Sequence, residues 1–184
     1  MTAHQRHHDW HVILSRLVDD LAALPDTERT WLWQRVGRIE MLQRQLHALF
    51  LLAEGEGICR DCRGACCARG LHHLTLPNLL SYLLRSETPP QPDFTATCPL
   101  LGVDGCLWPP QRRPFNCVTF LCEAVEERLD EAQRRRFYAL ERELRACYQE
   151  VADRYAGAGL RGIWIAVQRH GLDGLLKAGK EPTT

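Results

Sequence analysis

The 184-residue sequence predicts a mainly α-helical bundle that carries an irregular cysteine-rich loop region. Two observations lead there. Apolar residues recur at spacings of three and four in long stretches at both ends of the chain, the mark of amphipathic helices. Between those stretches lie most of the nine cysteines, together with a run of glycine and proline that breaks regular structure. One domain is expected over residues 1–184, divided into a helical hairpin (1–55), a cysteine-cluster region (56–122), C-terminal helices (123–172) and a tail (173–184).

The first helix is read from about His4 to Leu24, with Val12, Ile13, Leu17, Leu21 and Leu24 on its apolar face. Pro25-Asp26-Thr27 stops it, and Asp26 or Thr27 is expected to cap a second helix reaching about Glu54. The stripe of that helix is Leu32, Val36, Ile39, Leu42, Leu46, Leu49 and Ala53, and the two helices are expected to pack as an antiparallel hairpin. Gly55-Glu56-Gly57 is read as the stop, followed by a cysteine loop from Cys59 to Cys67 and an extended stretch from Leu71 to Leu74. Thr75 should cap a short helix through Leu84, with Pro77 in its first turn. The proline-rich stretch from Glu87 to Pro114 should have little regular structure, apart from a hairpin at Val103-Asp104-Gly105-Cys106. After Cys122 the pattern Phe137, Leu140, Leu144, Cys147 or Tyr148, Val151 and Tyr155 predicts one long helix ending before Gly157, and a last helix spans about Arg161 to His170.

Lys plus Arg equals Asp plus Glu at 23 each, so no net field recruits nucleic acid or anionic lipid. The longest apolar run, Ala48 to Ala53, is too short to cross a bilayer. Met1 to Trp10 is rich in histidine and has no apolar stretch of a signal peptide, so a cytoplasmic location is expected. In a reducing compartment, clustered cysteines hold metal more often than they form disulfides.

The first cluster is Cys59-Arg-Asp-Cys62-Arg-Gly-Ala-Cys66-Cys67. Cys-x2-Cys lets two thiolates converge on one ion, and Gly64 gives the chain freedom to fold over it. Adjacent Cys66 and Cys67 suit two ions or a polynuclear cluster. The second group is Cys98, Cys106, Cys117 and Cys122. These eight residues are the expected metal ligands. Cys147 sits on an apolar helical stripe and reads as a small buried hydrophobe. Arg60, Arg63, Arg112 and Arg113 flank the cysteines, where they offset thiolate charge or lie as plain surface residues. His4, His7, His8 and His11 share one helical face, which could form an auxiliary metal site; the favoured reading is an exposed, frayed N-terminal turn. His72 and His73 follow the first cysteine group closely, where they could supply a ligand or an outer contact to one; with enough cysteines already present, they read as ordinary residues. Trp31, Trp33, Trp108 and Trp164 read as core or core-edge aromatics.

Cys59, Cys62, Cys66 and Cys67, then Cys98-Pro99, Asp104-Gly105-Cys106 and Arg113-Pro114-Phe115-Asn116-Cys117, in that order, resemble the YkgJ-type cysteine-cluster family. The resemblance covers about Ile58 to Cys122. It implies a zinc- or iron-chelating domain, but no catalytic residue is carried over. Some relatives of that domain, the flagellin lysine methylases, are enzymes and are longer. The expected cofactor is one or two zinc ions, or iron, including an iron–sulfur cluster. The expected function is metal binding. The alternatives are a cluster-dependent enzyme modifying a protein or peptide, and a metal-shaped interaction module. A metal ion is the one partner the residues specify.

Overall fold

The computed structural model describes residues 2–62, 70, 72–103 and 105–177. It is mainly helical, and the described residues contain α1 (Ala3–Ala23), α2 (Asp26–Leu52), α3 (Gly55–Asp61), α4 (Leu76–Leu83), α5 (Phe115–Thr119), α6 (Glu123–Glu126), α7 (Glu131–Arg154) and α8 (Ile163–His170). Two short strands, β1 (Leu101–Gly102) and β2 (Gly105–Cys106), form the only sheet among those residues. No helix among them is long and apolar enough to cross a membrane.

The long helices follow the predicted stripes. The Thr2 hydroxyl accepts the Gln5 N–H at 3.2 Å and caps α1, which buries Trp10, Ile13, Leu17 and Leu21. α2 buries Leu32, Val36, Ile39, Leu42 and Leu46. α7 buries Phe137, Leu140, Leu144, Cys147, Tyr148 and Val151. α2 finds its main helical partner in α7 rather than in α1, which instead packs on α4 and the Leu172–Gly174 turn. One core runs through these elements from Trp10 to Leu176. At one seam Trp10, Phe94 and Trp164 group together, with the Phe94 and Trp164 rings edge to face at 5.2 Å.

Several boundaries differ from the sequence reading. Pro25, not Asp26 or Thr27, occupies the N-cap of α2, and Asp26 and Glu28 instead lie in its first turn, where the helix dipole favours them. Gly55 does not end helical structure. Glu54 adopts a left-handed φ of 54°, and Gly55 then opens α3, which carries Cys59 on a helix rather than in a loop. The single helix expected after Cys122 is two: α6 stops, buried Leu129 turns inward, and Asp130 restarts the chain as α7. Asp130 Oδ1 accepts the Gln133 N–H at 2.8 Å, and Gln133 Oε1 accepts the Asp130 N–H at 2.8 Å. The hairpin forms with Leu101 opposite Cys106 and Gly102 opposite Gly105, so Gly105, at φ 119°, begins the second strand rather than sitting in the turn. Trp33 is 47% exposed, outside the core, with the Arg85 guanidinium 4.6 Å from its ring centre.

A buried polar cluster ties the irregular middle of the chain to the helices. Thr75 precedes α4 and directs both its N–H and its hydroxyl to Asn78 Oδ1, at 3.0 and 2.7 Å. Asn78 Nδ2 donates to the carbonyls of Arg112 and Arg113, at 3.2 and 2.9 Å, and meets the Tyr148 hydroxyl at 3.3 Å. Gln43 of α2 adds a 2.7 Å hydrogen bond to the Arg113 carbonyl. Beside it, Glu40 pairs with Arg85 at 2.9 Å and with Arg112 at 3.5 Å, while Arg112 also binds Glu87 and lies 4.3 Å from the centre of the Tyr82 ring. Burial pushes the Glu40 carboxyl up, and the two arginines oppose that shift.

Two predictions follow from these ties. Asn78→Ala takes the side-chain donor from the Arg112 carbonyl and one of the partners of the Arg113 carbonyl and the Tyr148 hydroxyl, and should cost about 2–3 kcal/mol in chemical denaturation; a loss below about 0.5 kcal/mol would show that the network carries little. Glu28 receives Arg154 Nε at 2.8 Å and the Tyr155 hydroxyl at 2.6 Å, and the Arg154 and Tyr155 hydrogen bonds hold its carboxyl below the usual range. Its contribution is therefore present above the unfolded carboxylate pKa of about 4.3 and is lost as pH falls through the lower folded value. The stability gap between wild type and Glu28→Gln should be open at pH 7 and close in acid; a pH-independent gap would contradict this.

Candidate functional site

Six of the eight expected ligands lie among the described residues: Cys59, Cys62, Cys98, Cys106, Cys117 and Cys122. Cys66 and Cys67 lie outside them, as do Arg63, Gly64 and Asp104. The six fall in three neighbourhoods.

The first is the corner where α3 meets α6. Cys59 is half-buried near the end of α3, and Cys62 is exposed one residue beyond it, its Sγ 3.5 Å from the Cys59 carbonyl oxygen. α3 packs on α6, and Cys122 sits at the N-cap of α6. Ile58 and Cys122 both pack on a small second core of Ala53, Val125 and Leu129. This core fixes the corner, with Ile58, the residue before Cys59, and Cys122 packed on the same three side chains.

The second neighbourhood is the turn at residues 70–73. An extended stretch was expected from Leu71 to Leu74. Instead the His73 N–H closes on the Gly70 carbonyl at 3.1 Å; Leu71 itself lies outside the described residues. A methyl group on Gly70 would stand 2.3 Å from Cys98 Sγ, so only glycine lets the buried Cys98 thiol lie against this turn. On the other side of the turn, Cys117 Sγ lies 3.5 Å from His73 Nδ1. Residues separated in sequence by 44 positions thus meet here.

Both sides of the 70–73 turn are anchored. A side chain at Gly162 would stand 2.4 Å from the His72 carbonyl oxygen, and the Ile163 N–H donates to the Leu74 carbonyl at 2.6 Å. The start of α8 is therefore pressed against the backbone that carries His73. On the Cys117 side, α5 begins directly after Pro114, and the Arg113 carbonyl is gripped by Asn78 and Gln43. Burial, reinforced by neighbouring His72, lowers the pKa of His73 and favours its neutral ring.

The third neighbourhood is the hairpin. Cys106, half-buried on β2, packs against the main core. Among the described residues no three His, Cys, Asp or Glu side chains converge closely enough to hold a metal ion.

The flanking arginines divide. Arg60 is exposed. Arg112 is engaged by Glu87 and Glu40, and Arg113 Nε donates to the Trp108 carbonyl at 3.0 Å, so both serve the polar cluster. In the N-terminal helix His4, His8 and His11 are exposed, whereas the His7 ring meets Phe94 edge-on at 4.9 Å. Compared with protein-family models, curated proteins and solved structures, the chain finds no match.

Sequence reasoning set aside His73 and did not single out Gly70. The available signal was their position: a glycine and a histidine pair directly after a dense cysteine group. The Gly70–Cys98 contact is tested by a double-mutant cycle. Gly70→Ala should cost about 1–3 kcal/mol through overpacking, and distinctly less in a Cys98→Ala background. Equal costs in both backgrounds would rule out the contact.

Proposed function

We propose that this chain is a metal-binding protein of the YkgJ-like cysteine-cluster type, holding zinc or iron, including an iron–sulfur form, through thiolates of Cys59, Cys62, Cys66, Cys67, Cys98, Cys106, Cys117 and Cys122. The observation that carries this reading is the convergence at the 70–73 turn. Cys98 packs against Gly70 there, and Cys117 reaches His73 at 3.5 Å. Soft sulfur and imidazole donors drawn together from distant segments are the donor chemistry of zinc and iron sites. The corner that gathers Cys59, Cys62 and Cys122 into adjoining elements supports a second location for thiolate ligation.

Bound metal would supply a cross-link between segments that are distant in sequence. Part of the binding free energy would then be folding free energy. A role as a metal-shaped interaction module has one observation in its favour: Phe120, between Cys117 and Cys122, is 58% exposed. The leading reading remains metal binding.

The test is metal and acid-labile sulfide content, with a visible spectrum, on untagged protein purified without oxygen. Colourless protein with about one or two zinc ions, or brown protein with iron and sulfide, supports the reading and selects the metal. Cys62→Ser and Cys66→Ser should each lose metal and melt at lower temperature. Full metal content and unchanged melting in both variants would sink the assignment.

A further inference from the structure

We propose that His73 is itself a metal ligand, sharing one ion with Cys117, so that this part of the centre is a mixed imidazole–thiolate site. The inference rests on the metal-binding reading above and adds to it a residue and a donor type that the cysteine pattern does not contain.

The first ground is distance. A tetrahedral ion holds sulfur at about 2.3 Å and imidazole nitrogen at about 2.0–2.1 Å, which sets two such ligands roughly 3.5 Å apart. His73 Nδ1 and Cys117 Sγ are 3.5 Å apart. The second ground is rigidity. His73 lies on a turn closed by its own N–H and clamped by Gly162 and Ile163 at the start of α8. Cys117 lies on α5, whose entry is pinned through the Arg113 carbonyl. The two donors are thus held on separate, fixed pieces of the framework, as preorganised ligands are.

The third ground is charge. Four thiolates around a divalent ion leave two excess negative charges, and one imidazole in place of a thiolate removes one of them. Of the arginines on the Cys117 side, Arg112 is committed to Glu87 and Glu40, and Arg113 Nε to the Trp108 carbonyl. With Nδ1 directed at the ion, Nε2 is left to hydrogen-bond an outer partner, the usual arrangement of a ligating histidine. The remaining ligands of this ion would come from the cysteines of the proposed set.

The same 3.5 Å separation also suits a thiol–imidazole hydrogen bond, so the test must read the metal's own shell. Untagged full-length protein is loaded with Zn²⁺ alone, and zinc-edge X-ray absorption is recorded for wild type, His73→Ala, His73→Cys and His72→Ala. Wild type should show nitrogen at about 2.0 Å beside sulfur at about 2.3 Å. His73→Cys should convert that nitrogen to sulfur, His73→Ala should weaken zinc binding at least tenfold, and His72→Ala should leave the shell unchanged. A wild-type shell of sulfur only overturns the role of His73 and leaves cysteine-based binding standing, and so does nitrogen that persists in His73→Cys. Wild-type protein that binds no zinc, and carries no iron when purified without oxygen, overturns the metal-binding reading itself and this inference with it.

Discussion

The carboxamide of Asn78 is the constraint on which the middle of the molecule depends. It is 2% exposed, and its hydrogen bonds reach Thr75, the carbonyls of Arg112 and Arg113, and the Tyr148 hydroxyl. Three elements with no regular ladder between them are thereby held in register: the start of α4, the Pro110–Arg112 turn with the residues after it, and the face of α7. A proline-rich segment offers few backbone donors, so its carbonyls need side-chain partners when buried. Asn78 and Gln43 meet that need. A network of this kind stabilises one arrangement because a partly satisfied version is costly in a low-dielectric interior.

The same network sets the position of the candidate site. α5 begins where the gripped segment ends, so Cys117 inherits its place from Asn78 and Gln43. His73 takes its place from the opposite direction, through the backbone contact between Leu74 and the start of α8. The two side chains approach because two independent anchors aim at one spot. The polar cluster also accounts for Arg112, which lies near the cysteines in sequence yet turns toward Glu40, Glu87 and the Tyr82 ring.

The parts of this architecture that follow from periodicity were readable from the residues. The stripe from Phe137 to Tyr155 and the stripe from Leu32 to Leu46 are the buried faces of the two longest helices. Local punctuation was less reliable. Gly55 read as a stop, but a side chain there would stand 2.4 Å from the Phe50 ring, so the glycine serves close packing and α3 begins at it. The division between α6 and α7 depends on Asp130 and Gln133, a local cap hidden inside a continuous amphipathic pattern. Thr75 was legible as the start of α4, whereas the partners of Asn78, 34 and 35 residues away, were not. The pairing of His73 with Cys117 belongs to that second kind. It depends on a turn and two distant anchors, and no spacing rule in the chain encodes it.

Cys147 differs from the other described cysteines in a way that bears on the protein's chemical ageing. It is 5% exposed on α7, where it feels Arg35 and Arg38 of α2, and burial pushes its thiol pKa up. Thiolate is the species that alkylating agents and peroxides attack, so this sulfur is shielded twice, by access and by protonation. Oxidative damage in the native fold will fall on the surface cysteines first. Cys147 becomes reactive only when α2 and α7 part, which makes its labelling rate a natural clock for opening of the central helix pair.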